Sequence, residues 1–140
     1  MIDNIFGIAG TALNAQLTRM NLTASNLANQ NTTAPSEQEA FKAKRTVFKA
    51  LLSTADTHPG ANYVGGVRVD KIVDVQNPNP RVYEPGSPHA DKDGYVFMSN
   101  VNEVTEMVEM MAAARTYQNN VEVVNTAKAL MMKTLEVTRS

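Results

Sequence analysis

The sequence predicts a mainly α-helical protein with a small β part, and three observations lead to this prediction. Apolar residues recur every three or four positions near both ends of the chain, every proline falls between residues 34 and 100, and short alternating stretches lie among the prolines. The first spacing is typical of one helix face, whereas proline and alternation favour turns and strands. We predict an N-terminal helix over 1–33 and a C-terminal helix over 100–140, which pair in one coiled-coil helical layer. Residues 34–99 form a β-rich middle segment with loops.

The first predicted helix has an apolar stripe and a neutral opposite face. The stripe consists of Ile2, Phe6, Ala9, Leu13, Leu17, Met20, Ala24 and Leu27. The opposite face consists of Asn14, Gln16, Thr18, Asn21, Thr23 and Ser25. Such a face is compatible with an ordinary polar surface. Neutral amides and hydroxyls can also be covered by a neighbouring helix without the cost of burying an unpaired ion, so we favour contact with other chains.

The ends of both helices carry local signals. We expect Asn29 or Asn31 to end the first helix in the left-handed conformation, and Pro35 prevents its continuation. Ser99 or Asn100 can cap the second helix, with a glutamate three residues after Asn100 in a capping-box arrangement.

The middle segment contains several candidate strands. The stretch "VGGVRVDKIVDV" alternates as a strand with a slip or bulge would, and a tight turn at Asp93 and Gly94 is expected to lead into a strand over 95–98. The stretch "AFKAKRTVFKALL" fits both a helix and a strand, and we favour a strand. We predict an exposed loop over 53–66 and an extended, turn-rich connection through "NPNPRVYEPGSP".

The C-terminal helix has more apolar surface than one partner helix can cover. Its heptad-like seam consists of Met107, Met110, Ala114, Tyr117, Val121, Val124, Lys128, Met131 and Leu135. A second apolar strip beside that seam consists of Val101, Val104, Val108 and Met111. A self-contained helical core is one interpretation. The other is an assembly subunit whose terminal helices pack against neighbouring chains.

Composition and charge argue against several classes of function. The net charge is −1 and no basic stripe is present, so we expect no nucleic-acid partner. The chain has no cysteine, which removes disulfides and thiolate chemistry. The N-terminus lacks the basic region of a cleaved signal peptide, and no long apolar run predicts a membrane span.

Enzyme-like fragments also have simpler explanations. Ser87, His89 and Asp91 have the residue types of a catalytic triad, but their adjacent placement in a proline-rich turn orients neither a base nor a nucleophile. Asp91, Asp93 and Gly94 lack the remaining ligands of a calcium loop, and His58 and His89 stand in separate loops. We expect no enzyme activity, no cofactor, no metal and no small-molecule substrate.

Three stretches carry a resemblance to a known family. "ASNLANQNTT" at 24–33 resembles the N-terminal signature of flagellar rod and hook proteins, and "YQNNVEVVNTAKALMMKTLEV" at 117–137 is similar to their C-terminal helix. The stretch from "VYEPGSPHADKDGYVFMSN" to "NNVEV", residues 82–123, resembles the proximal-rod members of that family. The chain departs from the family at 34–40, where "APSEQEA" replaces a glycine-containing turn.

The resemblance implies a non-enzymatic subunit of the bacterial flagellar proximal rod, the periplasmic drive shaft that transmits motor torque. It implies export by the flagellar type III apparatus without signal cleavage. The implied partners are other rod subunits, the inner-membrane ring, rod–ring adaptor proteins and the export apparatus. The residues expected at the assembly interface are Leu13, Leu17, Met20, Ala24, Asn26, Leu27, Asn29, Met107, Met110, Met111, Ala114, Tyr117, Val121, Val124, Met131 and Leu135. The alternative is a soluble helical adaptor that binds a partner helix without polymerising.

Overall fold

Along the described part of the chain, a long helix is followed by five short strands and then by a second long helix. The computed structural model describes residues 2–51 and 65–139, and the predicted loop over 53–66 lies almost entirely outside them. The elements are α1 (Ile2–Ala28), β1 (Thr33–Ala34), β2 (Lys44–Ala50), β3 (Val67–Asp74), β4 (Arg81–Tyr83), β5 (Tyr95–Met98) and α2 (Glu103–Arg139). This architecture confirms the prediction of a mainly helical chain with a small β part. It also confirms that "AFKAKRTVFKALL" contains a strand.

The chain divides into two compact units, and both helices contribute to each of them. The first unit comprises Met1–Thr18, Val47–Lys71 and Ala112–Ser140. The second unit comprises Arg19–Thr46 and Ile72–Met111.

In the first unit, a threonine of α1 holds the start of β3. The Thr11 hydroxyl donates to the Ile8 carbonyl at 2.7 Å and accepts the Val67 N–H at 3.2 Å. Gly66 has a φ of 127°, and a Cβ there would lie 2.8 Å from Thr11 Oγ1. Glycine is therefore needed at position 66 both for its backbone conformation and for this close approach.

Strands β2 and β3 form a two-stranded sheet, and β3 is uninterrupted. Val67, Val69 and Val73 are half-buried at odd positions, while Ile72 between them is 49% exposed. The predicted slip is therefore wrong, because Val73 keeps the two-residue alternation of Val67 and Val69 and Ile72 lies on the opposite face.

The second unit contains a three-stranded antiparallel sheet in the order β1-β5-β4. Val96 in the central strand β5 is fully buried and pairs with Val82 of β4. The prediction of a strand over 95–98 is confirmed. Strands β1 and β4 were not predicted, and β4 lies inside the stretch expected to be an extended connection.

A long loop, residues 84–94, joins β4 to β5. Asp91 Oδ1 accepts the backbone N–H groups of Asp93 and Tyr95, each at 2.9 Å, and the Gly94 N–H donates to the Asp91 carbonyl at 3.0 Å. Gly94 has a φ of 82°, as the predicted turn requires. The turn at Asp93 and Gly94 is therefore present, but it closes this long loop and not a tight hairpin.

The contacts of Asp91 predict a dependence of stability on pH. The backbone hydrogen bond from Tyr95 and the side-chain hydrogen bond from Arg81 hold the pKa of the Asp91 carboxyl below its usual value. A lowered folded-state pKa contributes stability above the unfolded pKa, and this contribution is lost as pH falls through the folded pKa. We expect Asp91→Asn to lose less stability than the wild type on acidification from about pH 5 to pH 2, as measured by urea unfolding. Parallel stability curves for the two proteins would contradict this prediction.

Asparagine side chains hold the irregular segments of the second unit. Asn100 Oδ1 accepts the Ala43 N–H at 2.6 Å, and its Nδ2 donates to the carbonyls of Val75 and Asn77 at 3.0 and 2.8 Å. Asn79 is buried, and its Nδ2 donates to two main-chain carbonyls. These amides satisfy backbone groups of segments that are distant along the chain, and so hold those segments together.

Helix α1 ends without a left-handed residue. No described residue other than glycine has a positive φ, so the prediction for Asn29 or Asn31 is wrong. The Asn29 side chain instead donates to the Ser25 carbonyl at 2.8 Å, and the Gln30 N–H donates to the Leu27 carbonyl at 3.3 Å. The last carbonyls are thus satisfied by a side chain and by a tightened final turn.

Helix α2 is capped by Asn102, and not by Ser99 or Asn100. Asn102 Oδ1 accepts the Thr105 N–H at 3.0 Å, which is the geometry of an N-cap. The helix consequently begins at Glu103, and the predicted capping box is absent. Asn100 is unavailable for capping because its side chain binds the segments described above.

The cap predicts a moderate change in stability. Asn102→Ala leaves a helix N–H without its acceptor, and we expect the free energy of unfolding to fall by about 1 kcal/mol. Urea denaturation followed by circular dichroism measures this loss. Asn102→Asp keeps the acceptor and should stay close to the wild type, so an equal loss in both variants would show that the cap is not the cause.

Candidate assembly surface

The two helices bury small or polar side chains and expose large apolar ones. The largest fully buried side chains among the described residues are Glu106, Val96 and Asn26, of which only Val96 is apolar. Among the helix residues whose burial the structure describes, the buried apolar ones are all alanines, namely Ala9, Ala15, Ala113 and Ala127. This distribution is the reverse of that in a self-contained helical core, where large aliphatic side chains are buried first.

The clearest exposed face lies at the start of α2, in the second unit. Val104, Met107, Val108 and Met111 are 71%, 52%, 60% and 70% exposed. Their spacing of three, four and seven residues places them on one side of the helix. We call these four residues the apolar strip; it contains three members of the predicted second strip together with Met107 of the predicted seam. The same spacing is used by amphipathic helices that dock their apolar side against a partner.

The first unit has its own exposed apolar side chains, again on α2. The members are Val121, Val123, Leu130, Met131, Met132, Leu135 and Val137. An open groove of about 360 Å³ lies there, lined mainly by apolar atoms of Ile5, Asn119, Glu122, Val123, Thr126, Ala127 and Leu130. Exposed aliphatic side chains in such number are typical of a surface that is covered in an assembly.

The predicted interface residues fall into three groups. Exposed residues are Leu17, Ala24, Met107, Met111, Val121, Met131 and Leu135. Half-buried residues are Leu13, Met20, Leu27, Asn29, Met110, Ala114, Tyr117 and Val124. Asn26 is fully buried inside the chain. Three buried positions of α2 are separated by multiples of seven residues, namely Glu106, Ala113 and Ala127. Each lies one residue before a predicted seam position, 107, 114 or 128.

A polar cluster occupies the place where a helical core would carry large apolar side chains. Glu106 has 1% of its side chain exposed, and its Oε1 lies 2.6 Å from Arg45 Nη2. Its Oε2 accepts from Asn26 Nδ2 at 3.0 Å. The Asn26 side chain also binds the Lys44 main chain, accepting its N–H and donating to its carbonyl, each at 2.9 Å. We call Asn26, Arg45 and Glu106 the polar cluster; it joins α1, β2 and α2.

A second ion pair in the same unit fixes the relative direction of the helices. The Arg19 guanidinium pairs with the Glu109 carboxylate, both partly buried. Asn26 follows Arg19 along α1, whereas its partner Glu106 precedes Glu109 along α2. The two helices therefore run antiparallel in the second unit.

Sequence reasoning placed Asn26 at a contact surface but missed the buried roles of Arg45 and Glu106. Glu106 lies among the acidic residues near the start of α2, where the helix dipole favours negative charge, so its position along the helix gives no reason to expect burial. A usable signal was the seven-residue recurrence of Glu106, Ala113 and Ala127, which marks a stripe of glutamate and small residues.

Residues of the enzyme-like fragments make structural contacts. The Ser87 hydroxyl accepts the backbone N–H of His89 at 3.3 Å, and the His89 ring lies 3.0 Å from Thr33 Oγ1. His58 lies outside the described residues. Within residues 2–51 and 65–139, no cluster of three or more histidine, aspartate or glutamate side chains is placed so that it could hold a metal ion. No described helix is long and apolar enough to cross a membrane.

Two protein families match the chain at its two ends. Residues 6–35 match the family described as flagella basal body rod protein. Residues 92–137 match the family described as flagellar basal body rod FlgEFG protein C-terminal. The matches cover most of α1 and nearly all of α2, and these two helices carry most of the exposed large apolar residues that the structure describes.

Curated relatives extend this similarity over nearly the whole chain. The flagellar basal-body rod protein FlgC of Salmonella typhimurium is 48% identical, with 94% of each chain covered. The protein of that name from Escherichia coli O6:H1 is 49% identical over the same shares. The one from Bacillus subtilis is 33% identical, with 93% of each chain covered.

Proposed function

The chain belongs to the FlgC family of flagellar basal-body rod proteins, and we propose that it joins the proximal part of the rod by packing its exposed helix faces against neighbouring subunits. It is a structural subunit of the basal-body rod and not an enzyme, and it serves motility. In the proposal, α1 and α2 form a coiled-coil layer with the helices of neighbours. The strands within 34–99 contribute the β-rich part of the subunit.

The observation that carries this proposal is the reversed burial of the helices. Four large apolar side chains of the apolar strip are more than half exposed, while a glutamate occupies the buried side of the same helix turns. Burying a large aliphatic side chain contributes about 1.5–3 kcal/mol, so leaving several exposed forgoes a sizeable stabilisation in the free chain. Packing against other subunits recovers it.

The reversed burial also supports a share in transmitting torque. A rod subunit must resist forces from its neighbours through many helix contacts, and the strip supplies such contacts on the outer side of α2. Two predicted interface residues on α1 are also exposed, Leu17 in the first unit and Ala24 in the second. Packing density at subunit interfaces matches that of protein interiors, which makes such contacts stiff.

The soluble adaptor remains the alternative function. It shares the exposed apolar strip, because an adaptor would bind one partner helix there. The two functions differ in where the protein is found. Replacing a bacterium's own FlgC gene with the gene for this chain and purifying hook–basal bodies separates them. We expect the chain in the purified rods and restored swimming; a chain confined to the cytoplasm would favour the adaptor.

The same strain tests the proposed route and neighbours. We propose export through the flagellar type III apparatus without signal cleavage, a periplasmic rod location, and contact with the inner-membrane ring and rod–ring adaptor proteins. Mass spectrometry of the rod-bound chain should find the N-terminal residues retained. Cross-linking in purified basal bodies should join α1 or α2 to other rod subunits. A shortened N-terminus would contradict export without cleavage.

A further inference from the structure

The first turns of helix α2 have two opposite faces, and only one of them can be buried inside the chain. Val104, Val108 and Met111 lie roughly 140–160° around the helix axis from Glu106, at 100° per residue. The hydrophobic effect alone favours turning the three apolar side chains inward and the glutamate outward. The structure has the opposite arrangement, with Glu106 fully buried and the apolar strip exposed.

Specific polar contacts oppose this tendency. Glu106 Oε2 accepts a hydrogen bond from Asn26 Nδ2 at 3.0 Å. The buried Oε1 lies 2.6 Å from Arg45 Nη2, in an ion pair that lacks hydrogen-bond geometry. The Arg45 Nη1 donates to the Lys44 carbonyl at 3.1 Å, so its guanidinium is held in place. A rotation of α2 that brought the strip inward would break these contacts and leave Arg45 and Asn26 without the carboxylate.

We propose that the polar cluster of Asn26, Arg45 and Glu106 fixes the rotation of α2 about its axis, so that the apolar strip faces outward. Glu106 is thus a positioning residue for assembly. The use of the outward strip rests on the proposed function, but the rotation itself is a property of the free chain. A buried ion pair is a weak source of stability compared with apolar residues in its place, whereas its directional contacts select one arrangement over others.

The absence of cysteine allows a direct test by thiol labelling of the free chain. Val108→Cys reports on the exposed strip, and Ala113→Cys reports on a fully buried position of the same helix. In an otherwise wild-type chain we expect rapid labelling at position 108 and slow labelling at position 113. Adding Glu106→Ala should slow the labelling of position 108 and speed the labelling of position 113, each by about tenfold. The free energy of burying one aliphatic side chain is large enough for a change of this size.

Glu109→Ala is the matched control, because it removes an ion pair of the same helix outside the polar cluster. It should keep the wild-type contrast between the two positions. Circular dichroism and gel filtration establish that each variant is folded and monomeric. If Glu106→Ala unfolds the chain, Glu106→Gln provides the comparison, since glutamine keeps the size of the side chain and loses its charge.

A folded Glu106 variant that labels rapidly at position 108 and slowly at position 113 would overturn the proposal. The ion pair would then contribute to stability alone. Because the labelling is measured on the unassembled chain, its result does not depend on rod incorporation. A chain that shows the expected labelling but is absent from purified rods would leave the rotation supported and count against the proposed function.

Discussion

We expect Val108→Asp to abolish rod incorporation and swimming and to leave the free chain folded. Val108 is 60% exposed, so aspartate there meets solvent in the free chain and should change the free energy of unfolding by less than about 0.5 kcal/mol. In the rod, the same site would lie against a neighbouring helix. The variant loses the burial of valine and adds an unpaired carboxylate, which together cost about 4 kcal/mol or more per subunit.

Two measurements separate assembly from folding in this variant. Urea unfolding of the purified chain should match the wild type, and hook–basal bodies from the complemented strain should lack the variant. Val108→Ile keeps an aliphatic side chain at the same position and should swim. Normal rods containing Val108→Asp would show that the apolar strip is not covered in the assembly.

Gly94→Val produces the largest expected loss of stability in the free chain. Gly94 has a φ of 82°, and a Cβ there would lie 2.9 Å from Tyr83 Cε2 and 3.2 Å from Pro85 Cβ. A β-branched residue is strained in this backbone conformation, and the loop must also move to admit it. We expect the free energy of unfolding to fall by about 3 kcal/mol, measured by urea denaturation. The variant should be exported but poorly incorporated into rods.

The control for this loop changes side chains and not the backbone. His89 and Lys92 are exposed, and of their two side chains only that of His89 has a described hydrogen bond, with the Thr33 hydroxyl. The His89→Ala/Lys92→Ala double variant should therefore swim and remain near wild-type stability. If the double variant and Gly94→Val were incorporated into rods equally well, the conformation of this loop would have no role in assembly.

The helices and the turn at Gly94 could be predicted because their signals are local. Apolar residues at spacings of three and four identify α1 and α2, and an Asp-Gly pair identifies the turn. The same local reasoning favoured a strand for "AFKAKRTVFKALL", which the structure contains as β2. Strands β1 and β4 could not be predicted because they are very short and are defined by their pairing with β5. β5 is far from β1 along the chain, and the long loop 84–94 separates it from β4.

The helix caps and the buried faces depended on contacts that a local pattern cannot supply. Asn100 and Asn102 are equally good N-caps by residue type, and the distant backbone groups bound by Asn100 decide between them. Likewise, Glu106 is an ordinary acidic residue near a helix start until Arg45 and Asn26 meet its carboxylate. Apolar spacing favours the large side chains of the predicted seam and gives no reason to expect burial one residue before it, at Glu106, Ala113 and Ala127.

The paired links between the helices have a mechanical consequence. In the second unit, Arg19 binds Glu109 and Asn26 binds Glu106, at two heights along an antiparallel pair. A force that slides one helix along the other stretches both links together, so both must rupture in a single event. A force that peels the helices apart loads one link at a time. We therefore expect these two links to resist axial shear better than peeling.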